Sequence, residues 1–174
     1  VIPDACSATG WQDTQVIVAM PSTLPIGASY RVILQDAQGR LTQPSTEAVR
    51  LIGGLPRPGI CSLSPSSGPA PLPPNNFLTI TGVNLGQNVQ TDGIRVLFFT
   101  RGAQTIDQDP DRRTWLSTGG GDVTVATSNQ VLRTRIPVRA DGFSAQTGDV
   151  VVSVGGVASN PARYTVLNCN EPNA

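Results

Sequence analysis

One group of side chains has metal-like spacing. The run "DQDPD" sets Asp107, Asp109 and Asp111 at every second residue. Carboxylates at that interval open the calcium loop of helix–loop–helix proteins, which also needs Gly at its sixth position and Glu at its twelfth. Those positions hold Arg112 and Thr118, so that motif fails. What remains is a looser, weak calcium site, set against the plainer reading of a solvated loop whose three acids are offset by Arg112 and Arg113. Other chemistry is poorly served. The chain has no His, which removes Ser–His and Cys–His pairs and the usual zinc sets. All twelve cations are Arg, so a Ser–Lys arrangement is excluded as well. Paired acids of the glycosidase kind are formally available, but the sequence gives no way to bring two into one cleft. The expectation is a protein that is not an enzyme and carries no cofactor. Trp11 and Trp115 are the remaining candidates: each stacks on a sugar or a partner surface, or caps the open end of a β-sandwich.

Composition narrows the frame around these residues. The 174-residue chain is 39% hydrophobic, enough for a core, yet only 5% aromatic and 14% charged. Gly (18) and Pro (15) approach a fifth of it. Disordered chains share that bias but lack β-branched residues. Here Val, Ile and Thr recur in short runs between Gly/Pro clusters, the pattern of an all-β protein with many turns. Twelve basic and twelve acidic residues balance, with no run of like charge longer than a pair, so no basic stripe invites nucleic acid. No apolar run approaches the ~20 residues of a membrane helix. With Val at position 1 and no signal peptide, the chain reads as one cut from a longer product. Cys6, Cys61 and Cys169 are spaced singly. They are either buried thiols or one disulfide plus an odd cysteine, the latter implying an oxidising compartment.

Strands are expected at 15–20, 29–36 and 46–53, with a turn at 36–40 where Gly39 takes positive φ. "GGLPRPG" (53–59) ends regular structure and marks a boundary between units 1–57 and 58–174. In the second unit strands are expected from 60, at 77–82, 93–100, 123–129, 130–137, 149–156 and 162–168. About seven strands at this spacing suit a sandwich of about 100 residues. Residues 101–122 read as a polar loop with an apolar island at Trp115. The two ends also repeat: Gly39 matches Gly156 and Pro44 matches Pro161, each between a strand and a final strand. Residues 11–52 thus read as the C-terminal half of the unit that 60–168 supplies whole.

Two stretches carry a resemblance to a known family. "SLSPSSGPAPLPPNNFLTITGVNLG" (62–86) resembles the opening of the IPT/TIG domain, the immunoglobulin-like fold shared by plexins and transcription factors. "VVVSVGGVASNPARYTV" (150–166) is similar to its close. The likeness covers 60–168, and 11–52 in part. It implies an immunoglobulin-like β-sandwich preceded by an incomplete related unit. It implies that Gly82, Asn84 and Gly86 reverse the chain at the domain edge. It implies neighbouring first and last strands, and so a disulfide between Cys61 and Cys169. The function it points to is a non-catalytic structural or adhesion module, extracellular or on the cell surface, within a larger protein or a self-assembling filament or layer. The alternative is an accessory carbohydrate-binding module of a secreted polysaccharide-active enzyme. Residues 11–52 carry apolar strand faces that three strands cannot bury alone, so self-association through 1–52 is expected.

Overall fold

The computed structural model describes residues 6, 16, 18, 20–54, 56–69, 77–98, 115–117, 123–136 and 147–167. All regular structure among them is β. Short β-branched runs between Gly and Pro residues leave no stretch long enough to nucleate a helix.

Two sheets share one core. The first holds Gly59–Ser64 (β3), Leu78–Val83 (β5), Val123–Thr127 (β8) and Val131–Thr134 (β9), antiparallel in the order β3-β5-β9-β8. The second holds Ser67–Gly68 (β4), Arg95–Phe98 (β6), Trp115–Ser117 (β7), Gly148–Val154 (β10) and Ala162–Val166 (β12), in the order β4-β12-β10-β6-β7, with Val157–Ala158 (β11) turning back onto β10. Alternation supplies the inner faces. Ile60, Leu78, Ile80 and Leu132 from the first sheet meet Val96, Phe98, Val150, Val152 and Tyr164 from the second. Each such side chain contributes about 1.5–3 kcal/mol by leaving water. A smaller outer cluster, Val151 with Leu97 and Ala158, covers the back of β10.

The first strand changes sheets. β3 pairs β5, and after the cis Ser64–Pro65 bond the chain crosses over, so that β4 runs parallel to β12. Among the described residues this continuation is what pairs with β12, whereas the segment bearing Cys61 is hydrogen-bonded into the opposite sheet. That geometry corrects the expected Cys61–Cys169 disulfide. Cys61 is bonded to Cys6, with Cα atoms 5.4 Å apart, and Cys169 lies outside the described residues. A bulge between Ile60 and Ser62 makes room for the bond. It puts Ile60 and Leu63 against the core and leaves Cys61 as the extra residue between them.

The turn after β5 also differs from expectation. Gly82 does not reverse the chain. It lies within β5, opposite Ile60, where a Cβ would overlap the Gly59 carbonyl oxygen. The reversal falls on Asn84 (φ 55°) and Gly86 (φ 85°), the left-handed conformations those residue types tolerate. The loop is closed from across the sheet: Leu85 N–H donates to Asn129 O, and Asn129 N–H to Gly86 O. The island at Trp115 is no loop either. β7 pairs β6 with Trp115 opposite Phe98 and extends the second sheet.

Residues 20–52 form a separate hairpin, with Ser29–Tyr30 (β1) antiparallel to Val49–Arg50 (β2) and an isolated bridge between Gln35 and Leu41. Val16 and Val18 each make a β-bridge and are half-buried.

Candidate interaction surface

The hairpin is built from its turn outward. Gly39 has φ 82°, and its N–H donates to Asp36 O. The Asp36 carboxylate accepts from the Arg40 N–H at 2.8 Å and the Gln38 N–H at 3.0 Å, and pairs with the Arg40 guanidinium. The Arg40 amide and then its guanidinium hold the Asp36 carboxyl below the usual carboxylate range. Beyond the turn two hydroxyls take the place of ladder carbonyls. Leu34 N–H donates to Thr42 Oγ1 at 3.0 Å while Thr42 N–H donates to Leu34 O. Val32 N–H donates to Ser45 Oγ at 3.1 Å while Ser45 N–H donates to Val32 O. Pro44, between them, has no N–H to give the ladder. Arg31 crosses the hairpin to Ser45 O (2.6 Å) and Thr46 O (3.0 Å).

The β10–β12 hairpin repeats the device. Val152 N–H donates to Ser159 Oγ at 3.0 Å, and Ser159 N–H to Val152 O at 2.8 Å. By the spacing that matches Pro44 with Pro161, Thr42 falls on Ser159. Leu34 then occupies the place of Val152, and Val32 and Ile33 those of Val150 and Val151. The residue before each proline separates the two copies. Asn160 is half-buried and clamps the first strand, accepting from Ile60 N–H at 2.7 Å and donating to Ile60 O at 3.0 Å. Its counterpart Gln43 is exposed.

Burial differs in the same way. Val150, Val151 and Val152 are at most 1% exposed, whereas Val32 is 39% and Ile33 50% exposed. Ile26, Leu41, Val49 and Ile52 are exposed too. The surface of Val32 and Ile33 in the first hairpin is therefore one that its twin buries. Sequence reasoning found that residues 11–52 carry apolar strand faces. It missed the hydroxyl closure, for which a Thr or Ser two residues before each Pro was the available sign.

The other expected site residues divide. Trp11, Asp107, Asp109 and Asp111 lie outside the described residues, as does Cys169. Trp115 sits on β7 at the edge of the second sheet. Among the described residues no three His, Cys, Asp or Glu side chains gather to hold a metal, and no helix is long and apolar enough to cross a membrane. No family model matches the chain, and no curated protein is significantly similar to it.

Proposed function

We propose that the protein is a non-catalytic structural module of an extracellular or cell-surface assembly, built from tandem immunoglobulin-like units of the IPT/TIG kind. The carrying observation is the repeated hydroxyl-closed hairpin, Leu34–Thr42 in the first unit and Val152–Ser159 in the second. Duplication of a β-unit along one chain is how extended surface proteins gain length. The bond between Cys6 and Cys61, both buried, supports an oxidising compartment. The linker supports a strut-like role: Arg57 Nε donates to Ala158 O at 2.9 Å, and Arg57 O accepts from Asn84 Nδ2, anchoring its end to the second unit.

Surface biotinylation of intact producing cells, followed by peptide mapping without reductant, tests this reading. The protein should be labelled, with Cys6 and Cys61 recovered as one cross-linked peptide. Recovery from the cytosol with both as free thiols overturns it. Retention on a glycan array through Trp115 would replace it with the carbohydrate-binding alternative.

A further inference from the structure

We propose that segment 29–36, which begins as β1 and continues through the hydroxyl-closed rungs at Val32 and Leu34, is a docking edge that pairs antiparallel with the same segment of a second copy, around a two-fold axis at Ile33. The inference deepens the structural-module reading and rests on it. In an antiparallel ladder, backbone groups alternate between the two neighbours. Val32 and Leu34 spend theirs on Ser45 and Thr42 inside the hairpin. The N–H and C=O groups of Arg31, Ile33 and Gln35 therefore face away from it. Among the described residues nothing pairs with that outer edge, and an open edge flanked by apolar side chains is a template for another strand.

The second unit shows what this edge accepts. There the corresponding edge of β10 is filled by β6, antiparallel, with Val150 opposite Phe98, Val151 opposite Leu97 and Val152 opposite Val96. Three consecutive apolar residues meet three consecutive apolar residues, burying both faces of the strand. The required partner is thus a short strand whose central triplet is apolar. The sequence "RVILQ" (31–35) is such a strand and fits itself. Centred on Ile33, the register sets Ile33 against the second copy's Ile33, Val32 against its Leu34 and Arg31 against its Gln35. The triplet faces the triplet, and no like charges stand opposite one another. Shifting the axis to Val32 or Leu34 sets part of the triplet against Arg31 or Gln35 and loses that match. A closed two-fold contact of this kind is isologous, so it makes a dimer and leaves the second unit free for other contacts.

Sedimentation equilibrium of the whole chain across the micromolar range should give a reversible dimer. Amide exchange should show the Arg31, Ile33 and Gln35 N–H groups gaining protection as concentration rises, while those of Val32 and Leu34 stay protected throughout. Ile33→Lys puts two like charges on the axis and should weaken the dimer about tenfold or more. Leu41→Lys, also at an exposed apolar position but across the hairpin from the docking edge, should not. The far-ultraviolet spectrum of each variant checks that the sandwich is intact. A monomer at every concentration, with the three outward amides exchanging freely, overturns the dimer while leaving the module's location and disulfide untouched. A dimer indifferent to Ile33→Lys overturns it equally, because the copies would then meet elsewhere.

Discussion

Tyr164 is 2% exposed, in the middle of the shared core, and its hydroxyl has no hydrogen-bond partner among the described residues. Burial pushes its pKa up, since the phenolate would lose water and gain nothing. An unpaired buried hydroxyl costs free energy that an aromatic ring alone does not. Tyr164→Phe should therefore leave stability unchanged or raise it by up to about 1 kcal/mol in urea unfolding; a loss larger than that would mean the hydroxyl is bonded. Asp92 is satisfied in the opposite sense. It accepts from Gln87 N–H at 2.6 Å and Asn88 N–H at 3.1 Å, and these two amides hold its carboxyl below the usual range. Asp36 is lowered likewise, first by the Arg40 amide. A carboxyl with a lower pKa folded than unfolded binds fewer protons when folded. Its contribution is present above the ordinary value of about 3.9 and is lost as pH falls through the lower folded value. The urea midpoint should thus fall with acid below roughly pH 4, and Asp92→Asn should make that fall shallower.

The two hairpins share one closure but not one environment. Ser159 is 4% exposed, and its hydroxyl both accepts from Val152 N–H and donates to Asn160 O at 2.7 Å. Ser159→Ala strands a buried N–H and should cost about 1–3 kcal/mol. Thr42 makes the same bond at the surface, where water replaces the lost acceptor, so Thr42→Val should cost under about 1 kcal/mol. Equal losses in paired urea titrations would mean that the two sites are equally dry, contrary to their burial.

The whole molecule is tied by the bond between Cys6 and Cys61, which closes a loop of 55 residues around the first hairpin. In the chain-entropy view, cross-linking a loop of that length removes about 4 kcal/mol of freedom from the unfolded state. The double variant Cys6→Ala/Cys61→Ala should lose stability up to that amount. Limited proteolysis should then cut within 7–52 before it cuts the sandwich, whose strands 59–136 and 147–167 hold their own core. Simultaneous loss of both would show that the sandwich depends on the staple.

Much of this architecture was legible in the chain. The alternation in Leu78–Val83 specifies a half-buried strand, because a pleated backbone sends successive side chains to opposite faces, and the unbroken Val150–Val152 run in Gly148–Val154 specifies one buried on both faces. The left-handed position at Asn84 and the Gly/Pro breaks are local sterics, equally visible without a fold. The matching of Pro44 with Pro161 was legible for the same reason. What is non-local was not. The role of Gly82 depends on the Gly59 backbone lying against it, a contact between strands that no nearby residue announces. Trp115 became strand rather than loop because β6 offered it an edge. The partner of Cys61 turned on which sheet the first strand occupies before Pro65, so a choice between Cys6 and Cys169 that spacing leaves open was made by packing. Val32 and Ile33 are exposed although Val32–Leu34 has the composition of a buried triplet; only the absence of a paired neighbour among the described residues distinguishes it from Val150–Val152. Local patterns in a sequence specify which residues want burial, and the arrangement of the strands decides which of them obtain it.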